Sequence, residues 1–176
     1  MNPSPHVFWL TGLPGAGKST LARALEEHLL GQGRRVSRLD GDELRQGLCA
    51  DLGFDPASRS ENMRRAGEVA RLLHAAGGIV IGAFVAPFAV DREKVRKLFP
   101  PAEFSEVYLS TPLEECVRRD PKGLYDRARY GELNGLTGWD APYEAPQAAE
   151  FTFDTTKLSL ADMVSILQAP LFESQA

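Results

Sequence analysis

A glycine-rich segment near the start of the chain constrains its fold more than any other feature. Residues 12–19 read Gly-Leu-Pro-Gly-Ala-Gly-Lys-Ser and match the pattern G-x-x-x-x-G-K-[ST]. An apolar run at 7–10 precedes the segment and a helical pattern at 18–30 follows it. In this context the glycines let main-chain N–H groups face phosphate oxygens at a helix N-terminus. The sequence therefore predicts a strand, a phosphate loop and a helix that together bind a nucleoside triphosphate.

The loop also supplies the residues of the predicted nucleotide site. Lys18 is positioned to reach the outer phosphates, and the Ser19 hydroxyl can bind Mg²⁺. The residues assigned to the nucleotide are Gly12, Leu13, Pro14, Gly15, Ala16, Gly17, Lys18, Ser19 and Thr20.

The rest of the chain alternates between strand and helix patterns. Strands are predicted at 7–10, 36–40, 79–84, 107–109 and, more weakly, 151–153; helices are predicted at 18–30, 61–75, 91–98, 113–119 and 160–168. Such alternation predicts a mainly parallel five-stranded sheet covered on both faces, which is a three-layer α/β/α fold of the P-loop NTPase type. We expect one domain over 1–176, with its ligands outside the carboxyl ends of the strands.

Composition narrows the class of protein and its partners. The 176 residues carry a net charge of −4, which gives no overall attraction to nucleic acid or acidic membranes. We see no apolar run near the roughly 20 residues that span a bilayer, and no signal peptide in residues 1–5. Two cysteines, Cys49 and Cys116, have no metal-binding spacing and suggest a reducing compartment. We therefore expect a cytoplasmic protein without nucleic-acid or membrane partners.

Residues 120–146 interrupt the alternation. This stretch is rich in Gly, Pro, Arg and Asp and contains four aromatic residues. A segment this long with little apolar periodicity is usually a lid or an irregular surface excursion. Its mixture of basic and aromatic residues favours a lid over a nucleotide site.

Two carboxylates follow the second predicted strand. Asp40 and Asp42 lie at its carboxyl end, where Mg²⁺ or a substrate hydroxyl would sit beside the phosphate loop. Alternatively, Asp42 N-caps the next helix, since Asp is a favoured cap residue.

Together these motifs resemble the adenylyl-sulfate kinases, which transfer the γ-phosphoryl group of ATP to the 3′-hydroxyl of adenosine 5′-phosphosulfate. The resemblance covers nearly the whole chain. It is carried by WLTGL at 9–13, LDGD at 39–42, LGF at 52–54, RSENMRR at 59–65, RDPKGLY at 119–125, AR at 128–129, LTG at 136–138 and PYEAP at 142–146. The Lys-Gly-Leu-Tyr segment with the downstream Tyr-Glu-x-Pro is much more specific than the phosphate loop.

The resemblance implies ATP and Mg²⁺ as cofactors, adenosine 5′-phosphosulfate as the small-molecule substrate, and a homodimer. It also implies that the phosphosulfate is bound by Arg45, Arg59 and Asn62, and that Phe54 stacks on its adenine. Guanidinium groups suit phosphate and sulfate oxygens, and an aromatic face suits a purine.

The resemblance further places Lys122 on the lid, over the transferring phosphoryl group. Asp42 is the candidate for orienting the acceptor hydroxyl and Asp40 the candidate for holding hydrated Mg²⁺, although these two roles could be exchanged. The catalytic set is therefore Lys18, Asp40, Asp42 and Lys122, with Ser19 and Asp40 as metal ligands. Arg118, before the lid, is assigned to the nucleotide by analogy with related kinases.

The chain departs from the family pattern in two places. Many members end the third strand with Ile-Ser-Pro-Tyr-Arg, whose Ser has been proposed to carry a phosphoryl intermediate. Here Ala86 and Ala89 replace the Ser and the Arg, which favours direct in-line transfer, and Leu136 stands where Phe usually closes on the substrate adenine. Two alternatives stay open: a kinase of another small nucleotide-linked acceptor, and a nucleotide-binding regulatory module without turnover.

Overall fold

A parallel β-sheet forms the centre of the molecule. The structure is a computed structural model that describes residues 5–173. The signal-peptide expectation concerned residues 1–5, and the first four of these lie outside the described residues. The strands are β1 His6–Gly12, β2 Val36–Asp40, β3 Ile79–Ala83, β4 Phe104–Leu109 and β5 Phe151–Phe153. Their order across the sheet is β2-β3-β1-β4-β5, and every neighbouring pair is parallel. The predicted fold class is confirmed.

Helices cover both faces of the sheet. They are α1 Lys18–Gly31, α2 Gly41–Leu44, α3 Pro56–Ala75, α4 Ala89–Arg96, α5 Leu113–Arg119, α6 Leu124–Arg129, α7 Leu160–Leu167 and α8 Ala169–Glu173, and a 3₁₀ turn lies at Pro101–Glu103. The short helices α2 and α6 were not predicted, because neither has enough residues to show a periodic apolar face. Helix α3 begins five residues before its predicted start, because Asp55 caps it by accepting a hydrogen bond from the Ser58 N–H, and Pro56 follows directly.

Successive side chains of β1 divide between two cores. Phe8 and Leu10 pack in the core beneath α1 and α7, whereas Val7 and Trp9 pack in the core beneath α3 and α4. This two-sided burial explains why the strand reads as a continuous apolar run. Gly82 on β3 is required beside Trp9, because a Cβ there would lie 2.6 Å from the indole ring.

The edge of the sheet that positions the site is its carboxyl edge. The phosphate loop follows β1, Asp40 ends β2 with Asp42 two residues later, and the loop containing Ala86 follows β3. Because β3 lies between β2 and β1, these three segments are neighbours. No helix within residues 5–173 is both long and apolar enough to cross a membrane.

Candidate active site

The phosphate loop connects β1 to α1 with its main chain exposed toward a cleft. Gly15 has φ +79°, and a Cβ at this position would lie 2.9 Å from the Cys116 carbonyl oxygen. Both the conformation and the close approach therefore require glycine. Helix α1 begins at Lys18 without a side-chain cap, which leaves its first N–H groups able to bind an anion.

Lys18 lies half-buried at the start of α1. Its Nζ donates hydrogen bonds to the carbonyl oxygens of Gly12 and Leu13, at 2.9 and 2.8 Å. Loss of hydration is the main cause that lowers the pKa of this ammonium group to about 8. A triphosphate in the loop would replace the two carbonyl oxygens with anionic partners and favour the charged amine.

Ser19 and Asp40 form the oxygen pair expected at a magnesium site. The Ser19 hydroxyl donates to Asp40 Oδ2 at 2.7 Å, and Asp40 is only 6% exposed. Asp40 also caps α2, since its Oδ1 accepts a hydrogen bond from the Asp42 N–H at 2.9 Å. The alternative in which Asp42 caps this helix is therefore wrong, and the Asp42 carboxylate is available to face the cleft.

Asp42 and Lys122 come together across the cleft. Asp42 Oδ2 forms an ion pair with Lys122 Nζ, although 80 residues separate them in sequence. Both side chains are more than half exposed. The first turn of the predicted lid thus reaches the carboxylate assigned to the acceptor hydroxyl.

The residues assigned to the acceptor gather around one aromatic ring. Phe54 is 64% exposed, with the guanidinium carbons of Arg45 and Arg59 lying 4.2 and 5.9 Å from its ring centroid. Asn62 is 4% exposed, and its Nδ2 has no hydrogen-bond partner among the described residues. A buried amide without a partner on the cleft wall is a ready donor for a ligand oxygen.

The middle of the lid closes over this acceptor end. Arg59 donates hydrogen bonds to the Gly135 carbonyl and the Thr137 hydroxyl, at 2.8 and 3.0 Å. The Asp140 carboxylate accepts hydrogen bonds from the main-chain N–H groups of Gly135 and Leu136. Leu136 is 7% exposed and lines the cleft.

One cleft of about 700 Å³ brings the predicted residues together. Its wall includes Pro14, Gly15, Gly17, Lys18, Ser19, Thr20, Asp40, Asp42, Arg45, Phe54, Arg59, Asn62, Lys122 and Leu136. Of the remaining loop residues, Gly12 and Ala16 are buried behind the loop, and Leu13 packs against the lid at Gly138.

The structure does not bring Arg118 to the cleft. Its side chain is 73% exposed and pairs with Glu115, which lies one turn earlier on α5. Arg119 lines the cleft instead, and its Nη1 donates to the Thr155 hydroxyl at 2.8 Å. Adjacent helical residues point about 100° apart, so the sequence alone did not distinguish the two arginines.

The predicted lid is partly ordered by α6. Tyr125 is buried, and its hydroxyl donates to the Pro14 carbonyl oxygen at 2.8 Å, which joins this helix to the phosphate loop. The Asp120 carboxylate accepts from the N–H groups of Tyr125 and Asp126 at the start of α6. The signal in the sequence was an acidic residue five positions before an aromatic one, which is too common to be decisive.

A family model and two relatives of similar sequence agree with one another. A family model described as adenylylsulphate kinase matches residues 4–154. An adenylyl-sulfate kinase of Shewanella pealeana is 54% identical over 164 residues, covering 93% of this chain and 80% of that protein. The counterpart from Shewanella denitrificans is 53% identical over 168 residues, covering 96% and 82%.

Solved structures agree with these relatives. The structure of the Mycobacterium tuberculosis APS kinase in complex with AMPPNP and APS is similar, with a TM-score of 0.91 and 42% identity, and the match covers 96% of this chain and 98% of that one. A hexameric APS kinase from Thiobacillus denitrificans has a TM-score of 0.71 and 33% identity, and covers 98% of this chain but 30% of that one.

Proposed function

The chain belongs to the adenylylsulphate kinase family, and from this membership we propose how its own residues carry out the reaction. It is an ATP-dependent adenylyl-sulfate kinase. The reaction transfers the γ-phosphoryl group of ATP to the 3′-hydroxyl of adenosine 5′-phosphosulfate and gives 3′-phosphoadenosine 5′-phosphosulfate.

The observation that carries this assignment is the pairing of two sites within one cleft. The phosphate loop with Lys18 and the group of Phe54, Arg59 and Asn62 line the same cleft. Asp42 and Lys122 meet within the same cleft. Phosphoryl transfer depends chiefly on positioning and charge neutralisation, and this arrangement supplies both.

We assign the steps as follows. The loop amides and Lys18 bind the β- and γ-phosphates, while Arg45, Arg59 and Asn62 orient the acceptor. Asp42 accepts a hydrogen bond from the acceptor hydroxyl and so directs the hydroxyl oxygen at the γ-phosphorus. Asp42 then receives the proton of that hydroxyl group. Lys122 leaves its ion pair with Asp42 and binds the oxygens of the transferring phosphoryl group, whose charge it stabilises.

The transfer is proposed to be direct. Ala86 lines the cleft after β3 and has no hydroxyl group that could carry a phosphoryl intermediate. The acceptor oxygen therefore attacks the γ-phosphorus, and the bond to the leaving ADP oxygen breaks, in a single in-line exchange.

Magnesium fits the oxygen donors at the loop. Ser19 and Asp40 provide one hydroxyl and one carboxylate, and Mg²⁺ typically combines one or two such ligands with substrate phosphates. Within residues 5–173 no three His, Cys, Asp or Glu side chains group into a cage of their own, which suits an ion shared with the nucleotide. When bound, the ion would neutralise charge on the phosphate oxygens.

A coupled assay of ADP release tests the assignment. We expect turnover with ATP, Mg²⁺ and adenosine 5′-phosphosulfate, and little turnover when another nucleotide replaces adenosine 5′-phosphosulfate as the acceptor. Turnover of a different acceptor alone would favour the second candidate, a kinase of another nucleotide-linked substrate, which Leu136 motivates because it offers less stacking area than Phe. Absence of turnover with every acceptor would indicate a regulatory module.

Two further expectations remain proposals. A cytoplasmic location is supported by Cys49 and Cys116, which are both buried as free thiols and form no disulfide bond. A homodimer is supported by the family resemblance, and light scattering on the purified chain at micromolar concentration would measure its mass.

A further inference from the structure

The loop that follows β3 contains an unusual backbone conformation. Ala86 has φ +45°, in the left-handed region that residues with a Cβ rarely occupy. The residue is 2% exposed and lines the cleft. Because β3 lies between β1 and β2, its loop is next to the segment that carries Asp42, the residue assigned to the acceptor hydroxyl. Such a conformation persists only where the surrounding structure holds it.

Arg92 of α4 holds this loop from behind the cleft wall. The side chain is 5% exposed, and its Nη1 donates to the Ala86 carbonyl oxygen at 2.7 Å. Its Nε donates to Glu106 Oε1 on β4 at 2.7 Å, so the guanidinium is paired with a buried carboxylate. The plane of the guanidinium is thereby fixed against the sheet.

The same guanidinium also attaches the chain that leaves the lid. Arg92 Nη2 donates to the Glu144 carbonyl oxygen at 2.6 Å. Glu144 in turn donates its N–H to the Pro87 carbonyl at 2.9 Å, and its Oε2 accepts from the Ala89 N–H at 2.6 Å. The loop after β3 and the carboxyl end of the lid are therefore joined by two direct hydrogen bonds of Glu144 and by the Arg92 side chain, which bonds both segments.

We propose that Arg92 is a positioning residue for the acceptor. It keeps Ala86 in the left-handed conformation and the end of the lid docked on the same loop, which together shape the acceptor side of the cleft. It makes none of the hydrogen bonds that hold the phosphate loop or Lys18. The proposal rests on the proposed function, because acceptor turnover is its readout.

The test is Arg92→Lys, which keeps a positive charge near Glu106 but cannot reach three partners. We expect the KM for adenosine 5′-phosphosulfate to rise about tenfold, the size of one lost hydrogen bond to a charged group. The KM for ATP should stay within about twofold, because the nucleotide loop is untouched. Adding Ala86→Gly should recover a large part of the acceptor KM, because glycine adopts positive φ without help.

Arg96→Lys is the matched control. Arg96 lies one turn later on α4 and pairs with the same Glu106, at 3.4 Å, and with Glu150, yet its hydrogen bonds reach neither Ala86 nor Glu144. We expect both KM values of this variant to match the parent. A merely structural role for Arg92 would instead lower Tm and move the two KM values together.

Each outcome of these experiments either supports or overturns the proposed role of Arg92. Equal changes in both KM values for Arg92→Lys, no change in either, or no recovery with Ala86→Gly would overturn the proposal. If Arg92→Lys does not fold, Glu106→Gln removes the charge that holds the Arg92 guanidinium, and an unchanged acceptor KM would overturn the proposal equally. A parent protein that fails to phosphorylate adenosine 5′-phosphosulfate would refute the proposed function itself, which separates the two failures.

Discussion

At the scale of single residues, several charged and polar side chains of the cleft already have partners within the protein. Lys18 binds two loop carbonyls, Ser19 binds Asp40, Lys122 pairs with Asp42, and Arg59 binds the lid. Ligand binding therefore exchanges partners and does not create unpaired charges.

Asp42 should matter far more than its exposed neighbour Glu43. Asp42→Asn keeps the shape but removes the charge that orients and deprotonates the acceptor, so we expect kcat to fall at least about a hundredfold. Glu43→Gln is the control, because Glu43 lies on the same helix and pairs with Arg38 at 2.8 Å. Near-normal kcat in Asp42→Asn, measured by ADP release, would remove the role assigned to this carboxylate.

Ala86→Ser should change turnover little. A new hydroxyl at this position lies on the cleft wall, but direct transfer gives it no step to perform. Incubation with γ-³²P-labelled ATP should leave no label on the variant protein. A labelled protein together with a large gain in rate would contradict direct transfer.

At the scale of elements, the start of α3 places the residues that we assign to the acceptor. Asp55 and Pro56 begin the helix directly after Phe54, and Arg59 and Asn62 lie within its first two turns. The Arg59 Nε also donates to the Phe54 carbonyl oxygen at 2.6 Å. We therefore expect the cap of this helix to affect acceptor binding as well as stability.

Asp55→Ala should weaken both stability and acceptor binding. Loss of the cap is expected to lower the free energy of unfolding by about 1 kcal/mol and to raise the KM for adenosine 5′-phosphosulfate. Ser159→Ala is the control, because Ser159 caps α7 by accepting from the Asp162 N–H. Urea titration should give similar losses for both variants, whereas an acceptor KM that also rises for Ser159→Ala would contradict a local effect.

At the scale of the whole molecule, the lid is continuous with the rest of the fold. Its first part joins the phosphate loop through Tyr125, and its last part joins β1 through the hydroxyl groups of Tyr143 and Thr11, 3.0 Å apart. Two hydrophobic cores on opposite faces share one sheet. The single domain expected from the sequence stays a prediction.

We accordingly expect one cooperative unfolding transition that includes the lid. The two tryptophans separate the regions, because Trp9 is buried in the sheet core and Trp139 lies on the lid at 43% exposure. Trp139→Phe leaves a reporter of the sheet and Trp9→Phe a reporter of the lid. In each variant, the fluorescence midpoint in urea should coincide with that of far-UV circular dichroism. A lid signal lost at lower urea would show that the lid unfolds separately.

The sequence by itself determined the elements whose signals are local. The spacing of glycines before Lys18, the continuous apolar strands and the helical periodicities predicted the phosphate loop, the parallel sheet and most element bounds. The acceptor residues such as Arg59 and Asn62 came from the family resemblance, because basic and amide side chains on a helix carry no local mark of their ligand.

Only the tertiary structure decided which neighbouring groups meet. It selected Arg119 over Arg118 for the cleft, because the packing of α5 sets which face of the helix points inward. It ordered α6 through contacts with Asp120 and Pro14. It also placed the Arg92 side chain between Ala86 and Glu144, although Arg92 and Glu144 are 52 residues apart in sequence. Periodicity specifies a face of an element, whereas the identity of what lies against that face depends on packing between segments distant in sequence.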